Sequence, residues 1–235
     1  SYAELLGCAP SEISVRDGAA VSTLRTANVG VELMAPDGAG EVAERLRAAL
    51  DETGEGLKSL VFAVDDIETA HRRAARVGLA PQSIMERETH RSLRLDTQRT
   101  GVRMFLIARE HEDISASARD VLGLDHVVVR TGDVERAAAL YGARLGLDLR
   151  LDREAAGRRF MFFRCGDAIV ELVQDEALSG QPDLLWGLSW RVADADAAHD
   201  RLEKAGVAVS EVRPGLKPGS RVLSVRDSTG NVPTL

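Results

Sequence analysis

The sequence has 235 residues and a formal net charge of −7, and 44% of its residues are hydrophobic. This composition is typical of a globular chain large enough for one or two hydrophobic cores. The acidic balance argues against nucleic acid as a partner, because phosphate binding needs a basic surface. No apolar run approaches the roughly 20 residues of a membrane span. We therefore expect neither nucleic acid nor a membrane as a partner.

The cysteines and the first residues bear on location. Cys8 and Cys165 form no disulfide or metal-binding pattern, and residues 1–7 lack the basic and apolar regions of a signal peptide. We predict a cytoplasmic protein. Arginine is abundant and lysine scarce, which we interpret as the codon bias of a GC-rich bacterial genome.

Taken in order, the chain predicts four related units, each with a strand, a helix and three further strands. Their approximate bounds are 1–36, 57–108, 123–175 and 184–235. The first unit begins inside its helix, so we expect the gene to encode one more strand before residue 1 and a few residues after residue 235. A short amphipathic helix within 40–50 follows the first unit.

The helices of the last three units carry clear start and stop signals. Asp66–Gly78 and Asp194–Gly206 each begin at an aspartate that can cap a helix and end at a glycine. In the third unit, residues 127–129 are three valines that favour a strand, and a helix is predicted from Asp133 to Gly146. Residues of one face of that helix are predicted to be buried: Val134, Ala137, Ala138, Tyr141 and Leu145.

The two halves of the chain are similar. The segment Tyr2–Gly7 aligns with Tyr141–Gly146, and the same offset places Glu32 on Glu171. A helix segment ending at His71 likewise matches one ending at His199. We predict an N-terminal domain at 1–108, a polar linker at 109–121 and a C-terminal domain at 122–235.

A tandem βαβββ unit with Leu-Asp-His-Val before a helix that carries Leu-Tyr-x-x-x-Leu-Gly resembles the vicinal oxygen chelate superfamily. This superfamily includes glyoxalase I, methylmalonyl-CoA epimerase, extradiol dioxygenases, and the fosfomycin-resistance and bleomycin-binding proteins. The resemblance implies an α+β fold in which four βαβββ modules pair into two cupped, barrel-like mixed sheets. One scaffold hosts many reactions, so the resemblance predicts the fold better than the activity.

The resemblance also implies a site. In the family, a divalent metal is held by a histidine of a first strand and a glutamate of a last strand, and these positions match His126 and Glu171. The matching positions of the fourth unit are Gly187 and Thr234, which are not convincing ligands. In the first half, Glu32 is matched without a histidine, and the second unit offers Ser59 and Phe105. The first half is therefore expected to have lost its site.

Two functions remain open on the sequence. The first is an enzyme of the lyase, isomerase or dioxygenase type that acts on a substrate with adjacent oxygens. It would use His126 and Glu171 for acid–base chemistry or to hold one divalent ion weakly, either Zn, Fe, Mn, Ni or Co. The second is a metal-free protein that binds and sequesters a small molecule, as bleomycin-binding proteins do.

Strand alternation suggests further ligand contacts. Residues on the predicted inward faces are assigned to substrate binding: Arg130, Ser189, Arg191 and Thr234. Trp186 and Trp190 then fall on the helix-packed face, where an aromatic core is the favoured interpretation. We interpret His71 and His199 as residues of solvated helix faces, whereas His90 and His111 lie in polar, loop-like stretches and carry no pattern. Family members often pair by symmetry, and a homodimer remains open.

Overall fold

The computed structural model describes residues 1–87, 89–97, 100–109 and 120–235. The helices are α1 (Tyr2–Leu6), α2 (Glu41–Thr53), α3 (Ile67–Arg76), α4 (Val134–Ala138) and α5 (Ala195–Lys204). The strands are β1 (Ser14–Arg16), β2 (Ala19–Arg25), β3 (Gly30–Pro36), β4 (Ser59–Ala63), β5 (Met85–Glu86), β6 (His90–Leu95), β7 (Arg103–Arg109), β8 (Val121–Thr131), β9 (Asp148–Ala155), β10 (Arg158–Cys165), β11 (Ala168–Gln174), β12 (Leu184–Val192), β13 (Arg213–Pro214) and β14 (Arg221–Val222).

The chain forms two compact units, each drawing on both halves of the sequence. Unit 1 contains residues 1–56, 120–125 and 187–235, and unit 2 contains the described residues of 57–109 together with 126–186. The predicted linker at 109–121 begins at the end of β7 and reaches the start of β8, and its residues 110–119 lie outside the described ranges. The division into domains at 1–108 and 122–235 stays a prediction.

The third βαβββ unit is present as predicted. The strand order is β12-β8-β11-β10-β9, in which β8 and β11 are parallel and β11, β10 and β9 are antiparallel neighbours. One face of this sheet is packed against the helix side, where Val129, Leu172 and Phe163 are almost fully buried. The opposite face carries the side chains of alternate residues, including His126 and Glu171. This mixed sheet confirms the α+β fold, and no sheet of the described strands closes into a barrel.

The helix after β8 departs from a simple α-helix. The Asp133 side chain accepts the backbone N–H of Arg136, as predicted for a cap. From Ala139 to Arg144 the helix widens to π geometry, and Leu145 N donates to Leu140 O at 2.9 Å. The wide turn holds the Tyr141 ring 6.5 Å from the ring of Phe163. A Cβ at position 142 would lie 3.0 Å from the Phe163 ring, so the glycine there permits this packing.

Unit 2 also contains the second βαβββ unit, whose sheet has the order β4-β7-β6-β5. Asp66 caps α3 by accepting the backbone N–H of Thr69, and the helix buries Ile67 and Ala74 as the sequence pattern predicts. Gly78 follows the helix with φ 72°, a left-handed conformation that favours glycine.

Unit 1 contains the antiparallel sheet β1-β2-β3, the hairpin β13-β14 and helices α1, α2 and α5. Its core joins Leu5 and Leu6 of α1 to Ala198 and Leu202 of α5, and Trp190 packs against this cluster. The last strands of the fourth unit are shorter than predicted. Beyond β14 only isolated bridges remain, joining Val209 to Val225, Val225 to Thr234 and Leu188 to Thr234.

The prediction that both tryptophans belong to the core is half wrong. Trp190 packs against the core of unit 1. Trp186 is 40% exposed, and its ring lies 5.6 Å from the guanidinium carbon of Arg130. The Trp186 ring faces Arg130 because an aromatic face attracts a cation.

None of the helices in the described ranges has a segment that could span a bilayer.

Candidate functional site

His126 and Glu171 meet on the open face of the β8-β11 pair. His126 is level with Ile169, and Glu171 is level with Val128, two residues further along the parallel strands. That offset separates their Cα atoms by about 8 Å, within reach of two inward side chains. The imidazole Nε2 lies 3.1 Å from Glu171 Oε2, and the side chains are 21% and 12% exposed. The two predicted residues therefore form a hydrogen-bonded pair that solvent can still reach.

The residues around the pair are mainly apolar. The row of residues level with Glu171 contains Val128, Phe162 and Leu151. The next row contains Val173 and Phe160 between two arginines, and Ile169 is level with His126. Apolar walls lower the local dielectric constant and strengthen electrostatic interactions at the pair.

Arg130 is held by other protein groups. Its guanidinium forms an ion pair with Asp175, whose side chain is 5% exposed, and lies against the Trp186 ring. Arg130 shares the sheet face of His126, since it is level with Val173 and Glu171 is two residues before Val173. The predicted contact between Arg130 and a substrate stays a prediction, and Asp175 neutralises much of the charge that such a contact would use.

Arg153 was missed by sequence reasoning. It is level with Phe160 across β9 and β10, and its guanidinium carbon lies 5.9 Å from the Phe160 ring centre and 5.7 Å from that of Phe162. The alternation of Phe160 and Phe162 along β10 was a usable signal, because it places both rings on one face. Arg153 lies in the unbroken part of the β9–β10 pairing, since the bulge between Phe162 and Phe163 shifts the register only beyond Phe162.

The other predicted substrate contacts lie in unit 1. Ser189 and Thr234 are buried and line a cavity of about 70 Å³ together with Trp190. Thr234 Oγ1 donates a hydrogen bond to the backbone oxygen of Val232 at 2.8 Å. Arg191 is half-buried. His126, Glu171 and Arg130 thus share one face in unit 2, whereas Ser189, Arg191 and Thr234 belong to unit 1, and their substrate roles stay predictions.

Position 187 cannot supply a ligand side chain without rearrangement. A Cβ there would lie 2.9 Å from the backbone oxygen of Pro233. In unit 1, Glu32 forms an exposed ion pair with Arg16 at 2.7 Å. The carboxylate that matches Glu171 therefore serves a surface contact.

The pair offers a metal ion two protein donors, an imidazole nitrogen and a carboxylate oxygen. A catalytic zinc site generally uses three protein ligands and keeps one open position. Among the residues that the structure describes, no group of three or more His, Cys, Asp or Glu side chains could hold a metal ion. The donor set at His126 and Glu171 therefore does not fit a tightly held metal, and we assign no chemical step to one.

The cysteines do not have the properties of nucleophiles. Burial raises the pKa of the Cys165 thiol, and burial likewise raises that of Cys8 against the opposing effect of a backbone hydrogen bond from Arg25. A raised pKa reduces the thiolate fraction at neutral pH.

Comparison with known proteins agrees with the observed fold. Residues 123–232 match the model of the Glyoxalase/Bleomycin resistance protein/Dioxygenase superfamily. A triple mutant of 4-hydroxymandelate synthase from Streptomyces coelicolor aligns with 99% of this chain and 85% of its own, with 18% identity and a TM-score of 0.71. A halotolerant catechol dioxygenase aligns with 98% of this chain and 78% of its own, with 15% identity and a TM-score of 0.66.

Shorter chains match part of the sequence. Methylmalonyl-CoA epimerase from Mycobacterium tuberculosis aligns with 48% of this chain and 85% of its own, at 27% identity and a TM-score of 0.42. No curated protein sequence matches the chain. The two long alignments establish the fold over nearly the whole chain. Residues 123–232 thus match the model of the glyoxalase, bleomycin resistance protein and dioxygenase superfamily, and the whole chain has the fold of these two solved structures.

Proposed function

We propose that the protein is a small-molecule enzyme that moves a proton on a substrate with adjacent oxygens, with His126 and Glu171 as its acid–base pair. The observation that carries the proposal is the 3.1 Å separation of His126 Nε2 and Glu171 Oε2 on a sheet face whose residues beside the pair are mainly apolar. A partly buried ion pair contributes little to stability, since the desolvation of the two groups offsets much of their attraction.

The pair is suited to proton transfer at a carbon next to a carbonyl group. Either group of the pair can accept a proton from the substrate, and the other can hold or return it. As the C–H bond breaks, its electrons form a C=C bond and the carbonyl electrons move to oxygen. The pair then returns the proton to carbon or oxygen, which isomerises the substrate. The reaction needs no external oxidant.

A second candidate, a metal-free binding protein, is favoured by the two-donor ligand set and by the Phe160 and Phe162 rings beside the pair. Such a protein would hold its ligand on the same face without breaking a C–H bond. The two candidates differ in one observable, the exchange of a substrate proton with solvent.

Exchange in D₂O tests the proposal. An α-hydroxyketone, a hemithioacetal and an acyl thioester are incubated with the protein, and loss of the proton next to the carbonyl is followed by NMR. We expect exchange with at least one class and a fall of about 10²–10⁴-fold in the variants His126→Gln and Glu171→Gln.

His199→Gln is the matched control. His199 also lies beside a carboxylate, with its Nδ1 3.5 Å from Asp200 Oδ1, but it belongs to α5 in unit 1. Its substitution should leave exchange unchanged. Exchange that persists in His126→Gln and Glu171→Gln would refute the proposal. Binding of a probe without exchange in any class would instead support the binding protein.

A further inference from the structure

Two rows of residues run across the open face from β8 to β9. In the first, Glu171 is followed by Phe162 and then by Leu151. In the second, Val173 is followed by Phe160 and then by Arg153. Arg153 is thus two strands and two residues away from Glu171, about 12 Å between Cα atoms. Its long side chain shortens that distance, because the guanidinium lies over Phe162, the direct neighbour of Glu171.

Arg153 is not paired with a carboxylate within the described residues, unlike three other arginines of this sheet. Arg130 is paired with Asp175, Arg150 on the same strand with Asp148, and Arg159 with Asp152. The contacts of Arg153 within the described residues are the two phenylalanine rings, and they include no carboxylate. Its positive charge therefore remains available to a ligand that lies on this face.

The guanidinium of Arg153 makes cation–π contacts with both rings, at 5.9 and 5.7 Å from their centres. These contacts leave its N–H groups able to bind an anion. Two parallel N–H donors match the two oxygens of a carboxylate. The rings also limit the conformations of the side chain, which lowers the entropy lost when an anion binds.

We infer that Arg153 anchors a carboxylate of the substrate. This inference rests on the proposed function for the position of the reacting oxygens. The substrate class is an organic acid whose flat, apolar body lies on Phe160 and Phe162. Its carboxylate binds Arg153, and its adjacent oxygens reach His126 and Glu171. A body of about one aromatic ring with a short side chain spans this distance, since Phe162 adjoins both ends.

Binding of 3-phenylpropanoate and of its neutral analogue 3-phenylpropanamide, measured by isothermal titration or ligand-observed NMR, tests the anchor. Neither probe has adjacent oxygens, so the result does not depend on proton transfer at His126 and Glu171. We expect the acid to bind at least tenfold more tightly than the amide. Arg153→Gln should weaken the acid about tenfold and leave the amide unchanged, as expected for the loss of a charge-assisted bidentate contact.

Arg150→Gln is the matched control, because it removes a neighbouring positive charge that Asp148 already pairs. It should leave both dissociation constants unchanged. Equal affinity for acid and amide would overturn the inference, as would equal losses in the two arginine variants or no binding of the acid at its solubility limit. A tenfold preference for phenyl phosphate over the acid would overturn the assignment to a carboxylate. Binding that depends on Arg153 without any proton exchange would keep the anchor and reject the proposed enzyme.

Discussion

The two tyrosines of the chain differ in the hydrogen bonding of their hydroxyl groups, and a Tyr→Phe substitution at each position can measure the difference. Tyr141 is fully buried, and its hydroxyl has no hydrogen-bond partner among the described residues. Burial, and then the charge of Asp183, raise the pKa of this hydroxyl, so it stays neutral. Tyr2, in contrast, donates its hydroxyl hydrogen to the backbone oxygen of Thr229 at 3.0 Å. The two Tyr→Phe variants should therefore change stability in opposite directions.

The magnitudes follow from the state of each hydroxyl. A buried polar group without a partner costs about 1–3 kcal/mol. Tyr141→Phe removes that cost and leaves a gap of one oxygen atom, so we expect a change between zero and a stabilisation of about 1 kcal/mol. Tyr2→Phe loses a made hydrogen bond and should destabilise the protein by about 1 kcal/mol.

Urea denaturation followed by circular dichroism, with the denaturant slope checked for constancy, measures both variants. A shift of about 2–4 °C in melting temperature corresponds to 1 kcal/mol for a chain of this size. Destabilisation of 1 kcal/mol or more in Tyr141→Phe would refute the reasoning. It would show that the hydroxyl has a partner, such as a water molecule shared with Arg136 and Asp183, whose Nη1 and Oδ2 atoms are also buried and unpaired within the described structure.

Three further predictions concern a buried ion pair, the pH dependence of stability and a close backbone contact. Asp183→Ala should destabilise the protein by about 2–3 kcal/mol in urea denaturation. This is at the lower end for a buried ion pair, because the partner Arg136 is 34% exposed. The control Asp148→Ala, on the surface, should cost less than about 0.5 kcal/mol. Burial raises the pKa of Tyr2 to about 12, so its contribution to stability is complete below pH 10 and is lost as pH rises toward 12. Tyr2→Phe should accordingly reduce the alkaline loss of unfolding free energy by at most about 2 kcal/mol, measured between pH 9 and 12. Gly187→Ala should cost about 1–3 kcal/mol, because the added methyl group meets a backbone oxygen, and an unchanged melting temperature would contradict that contact.

The fold could be predicted because its signals are local and repeated. Aspartate caps and closing glycines defined α3 and α5 to within one or two residues, as the hydrogen bonds of Asp66 and Asp194 confirm. The widening to π geometry after Ala138 could not be predicted, because it depends on how Tyr141 packs against Phe163 on a distant strand. The weak pairing at Val225 and Thr234 is likewise set by tertiary contacts that sequence propensity does not encode.

The sequence predicted the two residues of the candidate pair, but it did not predict the residues that surround them. The resemblance to the superfamily identified His126 and Glu171, with modest support for Glu171 from the repeated glutamate, and the parallel register explains why their side chains meet. The position of Arg153 and the exposure of Trp186 were not predicted. A strand pattern shows on which face of the sheet a side chain lies, but it does not show which strand lies next to it. A stacked arginine is found only when that neighbour is known.

A double-mutant cycle on solvent exchange tests the acid–base pair most directly. The exchange rate of the best probe is measured for the wild-type protein, His126→Gln, Glu171→Gln and the double variant. Because residues that act as one unit lose their effect together, each single variant should lose nearly as much rate as the double variant. Losses that multiply independently, or single variants that retain the wild-type rate, would contradict the assignment of His126 and Glu171 as one acid–base unit.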